Sequence, residues 1–124
     1  MQSIAYLVAR ILLAQIFLLA GINKITGYAG TQAYMDAMGV PGMLLPLVIL
    51  LEVGAGLAII VGWKTRWAAI ALSVFTLVAA FIFHSDFQDQ MQMILFMKNL
   101  SITGGLMFVA LVGAGSLSIE GRQA

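Results

Sequence analysis

The chain has 124 residues, of which 62% are hydrophobic and 9% charged, with a net charge of +1. A soluble domain carries about 25% charged residues, so this composition excludes one and places the chain in a bilayer. With no cysteine and a single histidine, His84, disulfides, thiolate metal sites, iron–sulfur clusters and bis-histidine haem ligation within one chain are excluded.

At about 20 apolar residues per crossing, the length accommodates four spans in one membrane domain, residues 1–124, with no separate soluble domain. The N-terminus has no basic segment ahead of its apolar run, and Arg10 interrupts that run. The first hydrophobic segment is therefore expected to be a retained span rather than a cleaved leader.

Residues 4–22 are predicted as the first span. At 100° per residue, Arg10, Ala14, Phe17, Gly21 and Lys24 lie on one face. The glycine- and proline-interrupted stretch that follows is the longest connection, and within it a short interfacial helix is predicted from a Thr31 cap to about Met38. Residues 43–62 form the second predicted span, with Pro46 in its first turn and Glu52 near its middle. Its Gly54, Ala58 and Gly62 recur every four residues and predict a close helix-packing face.

The four-residue loop Trp63-Lys64-Thr65-Arg66 forces an antiparallel hairpin into the third span, residues 67–83, an alanine-rich packing element. The polar connection from His84 to Gln92 carries Asp86 and Asp89, followed by Met91 and Met93, in a spacing that matches no familiar ligand pattern, so no metal site is expected. Residues 93–112 are the fourth predicted span, with Lys98 and Asn99 near its start and the two side chains about a quarter turn apart. The short polar tail from Gly113 onward is expected to be partly disordered.

Four spans put both termini on the side of the Lys64/Arg66 loop. Lys64, Arg66 and Arg122 gather there, against Lys24 on the other side, and the positive-inside rule makes that side cytoplasmic. At 1.5 Å per residue, Arg10 then starts ~9 Å deep, Glu52 ~15 Å and Lys98 ~21 Å. An ionised carboxylate in hydrocarbon requires partners. A network of Arg10, Glu52 and Lys98 is therefore predicted, with Gln15 at the depth of Glu52 and Asn99 alongside as candidate ligand-binding residues.

The residues so assembled resemble the DoxX family of small four-helix bacterial membrane proteins over nearly the whole chain. The resemblance rests on Ala9-Arg10-Ile11-Leu12 with Phe17, Gly21-Ile22-Asn23-Lys24 running on to Thr31, Ala37-Met38-Gly39-Val40-Pro41-Gly42, and Leu51-Glu52 with Gly56 and Gly62. Thr65-Arg66, Phe83-His84, Phe96-Met97-Lys98-Asn99-Leu100, Gly104-Gly105 and Ser118 extend it. Where the family commonly has an aspartate near the tail, this chain has Glu120. The resemblance implies a bacterial inner-membrane protein, and for some relatives a place in membrane oxidoreductase complexes.

Three functions from different classes fit these residues. The first is an accessory subunit of a quinone-linked oxidoreductase, not an enzyme on its own, which holds a quinone-like molecule at the charged cluster with Gly21, Gly56 and Gly105 leaving room for a ring. It implies a redox partner protein or a homo-oligomer in the bilayer, and no nucleic acid. The second is a proton-coupled small-molecule transporter, since intramembrane carboxylates commonly mark proton routes. In the third, the charges serve only helix association.

Overall fold

The computed structural model describes residues 2–120 and is all-helical. Helix α1 spans Gln2–Thr26, α2 Tyr28–Ala37, α3 Leu45–Val61, α4 Thr65–Phe83 and α5 Gln90–Val112, with a single 3-10 turn, Gly42–Leu44, leading into α3. Four of these helices, α1, α3 with its leading turn, α4 and α5, are long and apolar enough to cross a membrane. The predicted third and fourth spans end where α4 and α5 end, at residues 83 and 112.

The helices form a ring. α1 packs on α3, α3 on α4 and α4 on α5, whereas α5 and α1 touch sparsely. The pattern that made α1 amphipathic is the one that packs: its buried residues are Arg10, Ala14, Phe17 and Gly21. α4 buries Thr65, Ala69, Leu72, Ser73, Thr76 and Ala80, a stripe at helical spacing. Ala14, Phe17, Ile59, Ala69, Leu72 and Leu106 form the central core. Outside it, side chains such as Leu12, Trp67, Phe108 and Leu111 are largely exposed, as a lipid-facing surface requires.

The close helix contact is made by different glycines from those the four-residue repeat predicts. Gly54 faces outward with nothing near it, whereas Gly21 lies so close to α3 that a Cβ there would stand 2.5 Å from Val53 Cγ2. Gly56 faces the α1 backbone at Ala14 and Leu18, and Leu13 of α1 lies over Gly105. These glycines are filled against by neighbouring helices and leave no space for a ring. Gly62 serves instead to end α3 in the left-handed conformation, φ 77°, where its N–H donates to Ala58 O.

The connection between α1 and α3 also differs in detail from expectation. α2 begins after Gly27, and Thr31 lies inside it, its hydroxyl donating to Gly27 O at 3.0 Å rather than capping the helix. The apolar residues Ala33, Tyr34, Ala37 and Met38 are exposed, and Met35 is the buried one. Two polar contacts fix the far end of α2 to the next turn: Gly42 N donates to Asp36 Oδ1 at 2.7 Å, and Gln32 Nε2 donates to Gly42 O at 3.2 Å.

Candidate functional site

The predicted three-member network does not form: Glu52 and Arg10 take other partners, and Lys98 faces outward. Glu52, 4% exposed at its side chain, pairs with Lys24, whose Nζ stands 2.6 Å from Glu52 Oε1. α1 continues one turn past the predicted span end, so Lys24 belongs to the helix on the same face as Phe17 and Gly21. Its Cα–Cβ bond, like every helical one, tilts toward the helix N-terminus, which here means back into the bundle. The ammonium therefore reaches Glu52 from outside the predicted span limits.

Arg10 stands ~21 Å from Lys24 along α1, from fourteen residues at 1.5 Å each. It is buried and donates from Nη1 to Ile59 O at 3.2 Å and from Nη2 to Leu117 O. Ile59 O is one of the last four carbonyls of α3, which have no partner within the helix. Leu117 belongs to the segment 113–120, which folds over this end of the bundle instead of being disordered; the last residues of the chain, 121–124, lie outside the described part.

Within that segment Glu120 accepts from Thr65 N at 2.8 Å, and its own N–H donates to Gly62 O at 3.0 Å. Glu120 thus caps α4, whose preceding residue, Lys64, offers no side-chain cap. Arg10 and Glu120 accordingly place a cation at the C-terminus of α3 and an anion at the N-terminus of α4, as the helix dipoles favour. Neither role was anticipated from the sequence.

Lys98 and Gln15 are both exposed on the outside of the bundle and join neither group. Asn99 is on the inner side. Its Nδ2 donates to Thr76 O at 3.3 Å, which ties α5 to α4, and Thr103 Oγ1 donates to Asn99 O at 2.8 Å.

Glu52 and Asn99 both line a cavity of about 470 Å³ between α1, α2, α3, α4 and α5. Most of the lining is apolar, with Phe17, Val48, Phe75 and Ile102 among it, and the polar groups are Lys24, Glu52, Thr31, Thr76, His84 and Asn99. Thr76 is 4% exposed, and its hydroxyl has no hydrogen-bond partner. His84 is held by a 2.9 Å hydrogen bond between Nδ1 and Gln92 Oε1. α2 covers one side of the cavity, where Tyr34 stacks on Phe83 with ring centroids 5.4 Å apart.

Of the five candidate residues, two line this cavity, and Lys24, Thr31, Thr76 and His84 complete its polar set. The helical face of α1 contained the signal for Lys24. Among the described residues no three His, Cys, Asp or Glu side chains gather as metal ligands would. The arrangement can hold a mostly apolar molecule by a few hydrogen bonds next to an ion pair.

Residues 5–85 match the DoxX family. The chain is 54% identical to Inner membrane protein YqjF of Escherichia coli (strain K12), over 97% of this chain and 92% of that protein. It is 35% identical to Inner membrane protein YphA of the same organism, over 98% of this chain and 91% of the relative. No solved structure gives a significant match.

Proposed function

This chain belongs to the DoxX family, and from that premise we propose that it is an inner-membrane accessory subunit of an oxidoreductase system that binds a quinone-like molecule in the Lys24–Glu52 cavity. The inner-membrane location follows the names of the two relatives. The observation that carries the ligand reading is an ion pair set in the wall of an otherwise apolar cavity, beside a buried Thr76 hydroxyl with no partner.

A carbonyl-bearing ring fits those groups. The cavity volume falls in the range of roughly 300–1,000 Å³ usual for small-molecule sites. Lys24 and the Thr76 hydroxyl offer donors to ring oxygens, Glu52 offers an acceptor to a ring hydroxyl, and the apolar lining suits an isoprenoid tail. Such a molecule, when bound, would supply two-electron, two-proton carrier chemistry. The chain's own residues would bind and orient it, and the electrons would pass to and from a partner protein.

Purified protein in mild detergent should be stabilised against heat by a short-chain quinone analogue, by about 2.7 kcal/mol at a hundredfold excess over Kd. Glu52→Gln and Thr76→Val should each weaken that response. An equal response in both variants, or none across a panel of quinones, would defeat the proposal. Proton-coupled uptake into sealed vesicles that is lost in Glu52→Gln would put a transporter in its place, and an intact ion pair with no ligand response would leave a helix-orienting role.

The orientation is part of the same proposal. Both ends of the described chain and the Gly62–Lys64 turn meet at one end of the bundle, where Ser3 contacts Ser116 and Glu120 holds Gly62 and Thr65. With Lys64, Arg66 and Arg122 in the sequence on that side, it is cytoplasmic by the positive-inside rule, and the cavity opens in the opposite half. A reporter fused after Ala124 should be active in the cytoplasm. Periplasmic activity would invert the assignment.

A further inference from the structure

Lys98 is exposed on the outer face of α5, in a shallow groove of about 530 Å³ formed with Met93, Ile94, Met97, Ser101 and Ile102. Every residue of this groove belongs to α5, so no other helix covers it, and α5 is the least buried of the four spans. Lys98 makes no hydrogen bond or ion pair among the described residues. The carboxylates of the chain are occupied elsewhere. Glu52 holds Lys24, Glu120 caps α4, Asp36 accepts from Gly42 N, and Asp86 and Asp89 accept from Gln88 N and Met91 N in the loop before α5. Among the described residues no carboxylate lies within ion-pair distance of Lys98, so the fold itself does not pair it.

Its depth indicates what pairs it instead. Lys98 lies eight residues into α5, ~12 Å from Gln90. Its side chain leans toward the helix N-terminus by about one turn. That carries the ammonium to the level of Ile94, ~6 Å from the start of the helix, close to the layer where bilayer phosphates lie. At that level lipid phosphates surround the exposed face of the helix, so no protein partner is needed to bring an anion to it. A second copy of this chain has no free intramembrane carboxylate to offer, since Glu52 is buried against Lys24.

We propose that Lys98 holds the phosphate of a membrane phospholipid, with an acyl chain packed along Met97 and Ile102. The site is separate from the cavity and does not depend on the quinone reading.

Native mass spectrometry of the full chain in a lipid-retaining detergent tests it, with phosphatidylglycerol, phosphatidylethanolamine and inorganic phosphate added in turn. Wild type should retain one phospholipid. Lys98→Met should retain it roughly fivefold less well, the effect of one interfacial cation, and Lys98→Arg should restore retention. A photoactivatable phospholipid should also label the peptide that contains Met97 in the wild type, which keeps the proposal testable if Lys98→Met fails to fold. Equal retention by wild type and Lys98→Met, competition by millimolar inorganic phosphate, or labelling confined to other helices would each overturn it.

Discussion

Lys24→Met is expected to lower the stability of the detergent-solubilised protein by about 3 kcal/mol, because it strands the Glu52 carboxylate in an apolar wall. The figure is the low end of the cost of breaking a buried pair, since Lys24 is 27% exposed and water can reach part of the site. Replacing both partners with apolar residues of similar size, Lys24→Met with Glu52→Leu, should cost less than the two single changes added together. The shortfall measures the coupling and is expected at ~1 to 3 kcal/mol. Arg10→Ala combined with Glu52→Ala should instead be additive within ~0.5 kcal/mol, as residues without shared partners are. Strong coupling between Arg10 and Glu52, with none between Lys24 and Glu52, would show that the Lys24–Glu52 pair is not the one that forms in the membrane.

That contrast marks where the sequence was sufficient and where it was not. The spans and the buried face of α1 were legible because a 3.6-residue pattern over several turns leaves one solution, and Ala14, Phe17 and Gly21 are buried as the pattern requires. The demand of Glu52 for a partner was legible too. Its identity was not, because it depends on a helix end: stopping α1 at residue 22 puts Lys24 in the headgroups, whereas one further turn to Thr26 brings it to Glu52.

The rotation of α5 was hidden for another reason. Both its faces are apolar, so hydrophobicity alone cannot choose between presenting Lys98 or Asn99 to the interior, and the choice falls to a polar contact, Asn99 Nδ2 donating to Thr76 O. The segment 113–120 gave no periodic signal, and Ser118 and Glu120 stood out there only through the family resemblance. A short stretch with no periodicity reads as a loose tail until the orphan ends of α3 and α4 are seen to need it.

Arg10→Ala should release that segment. Arg10 is 2% exposed and joins α1 to the carbonyl of Ile59 near the end of α3 and to Leu117 beyond α5. Hydrogen bonds from a charged donor contribute ~1.5 to 3 kcal/mol each. Losing two of them, with a cavity left where the guanidinium was, should destabilise the protein by about 3 kcal/mol or more, while Glu120→Ala, which removes one cap, should cost ~1 kcal/mol. The two changes should couple, because freeing Leu117 also frees the chain that carries Glu120 to Thr65 N.

Hydrogen exchange gives the specific readout: in Arg10→Ala the amides of Thr65 and Glu120 should lose protection, since their acceptors are Glu120 Oε1 and Gly62 O. Arg10→Lys should fall between wild type and alanine, because an ammonium keeps the charge but lacks the planar fork that reaches two carbonyls at once. The ligand response of the Lys24–Glu52 cavity, ~21 Å away along α1, should be unchanged in all of these variants that remain folded. If Arg10→Ala keeps full protection at Thr65 and Glu120, the segment is held by other contacts, and Arg10 serves only to fill its own space.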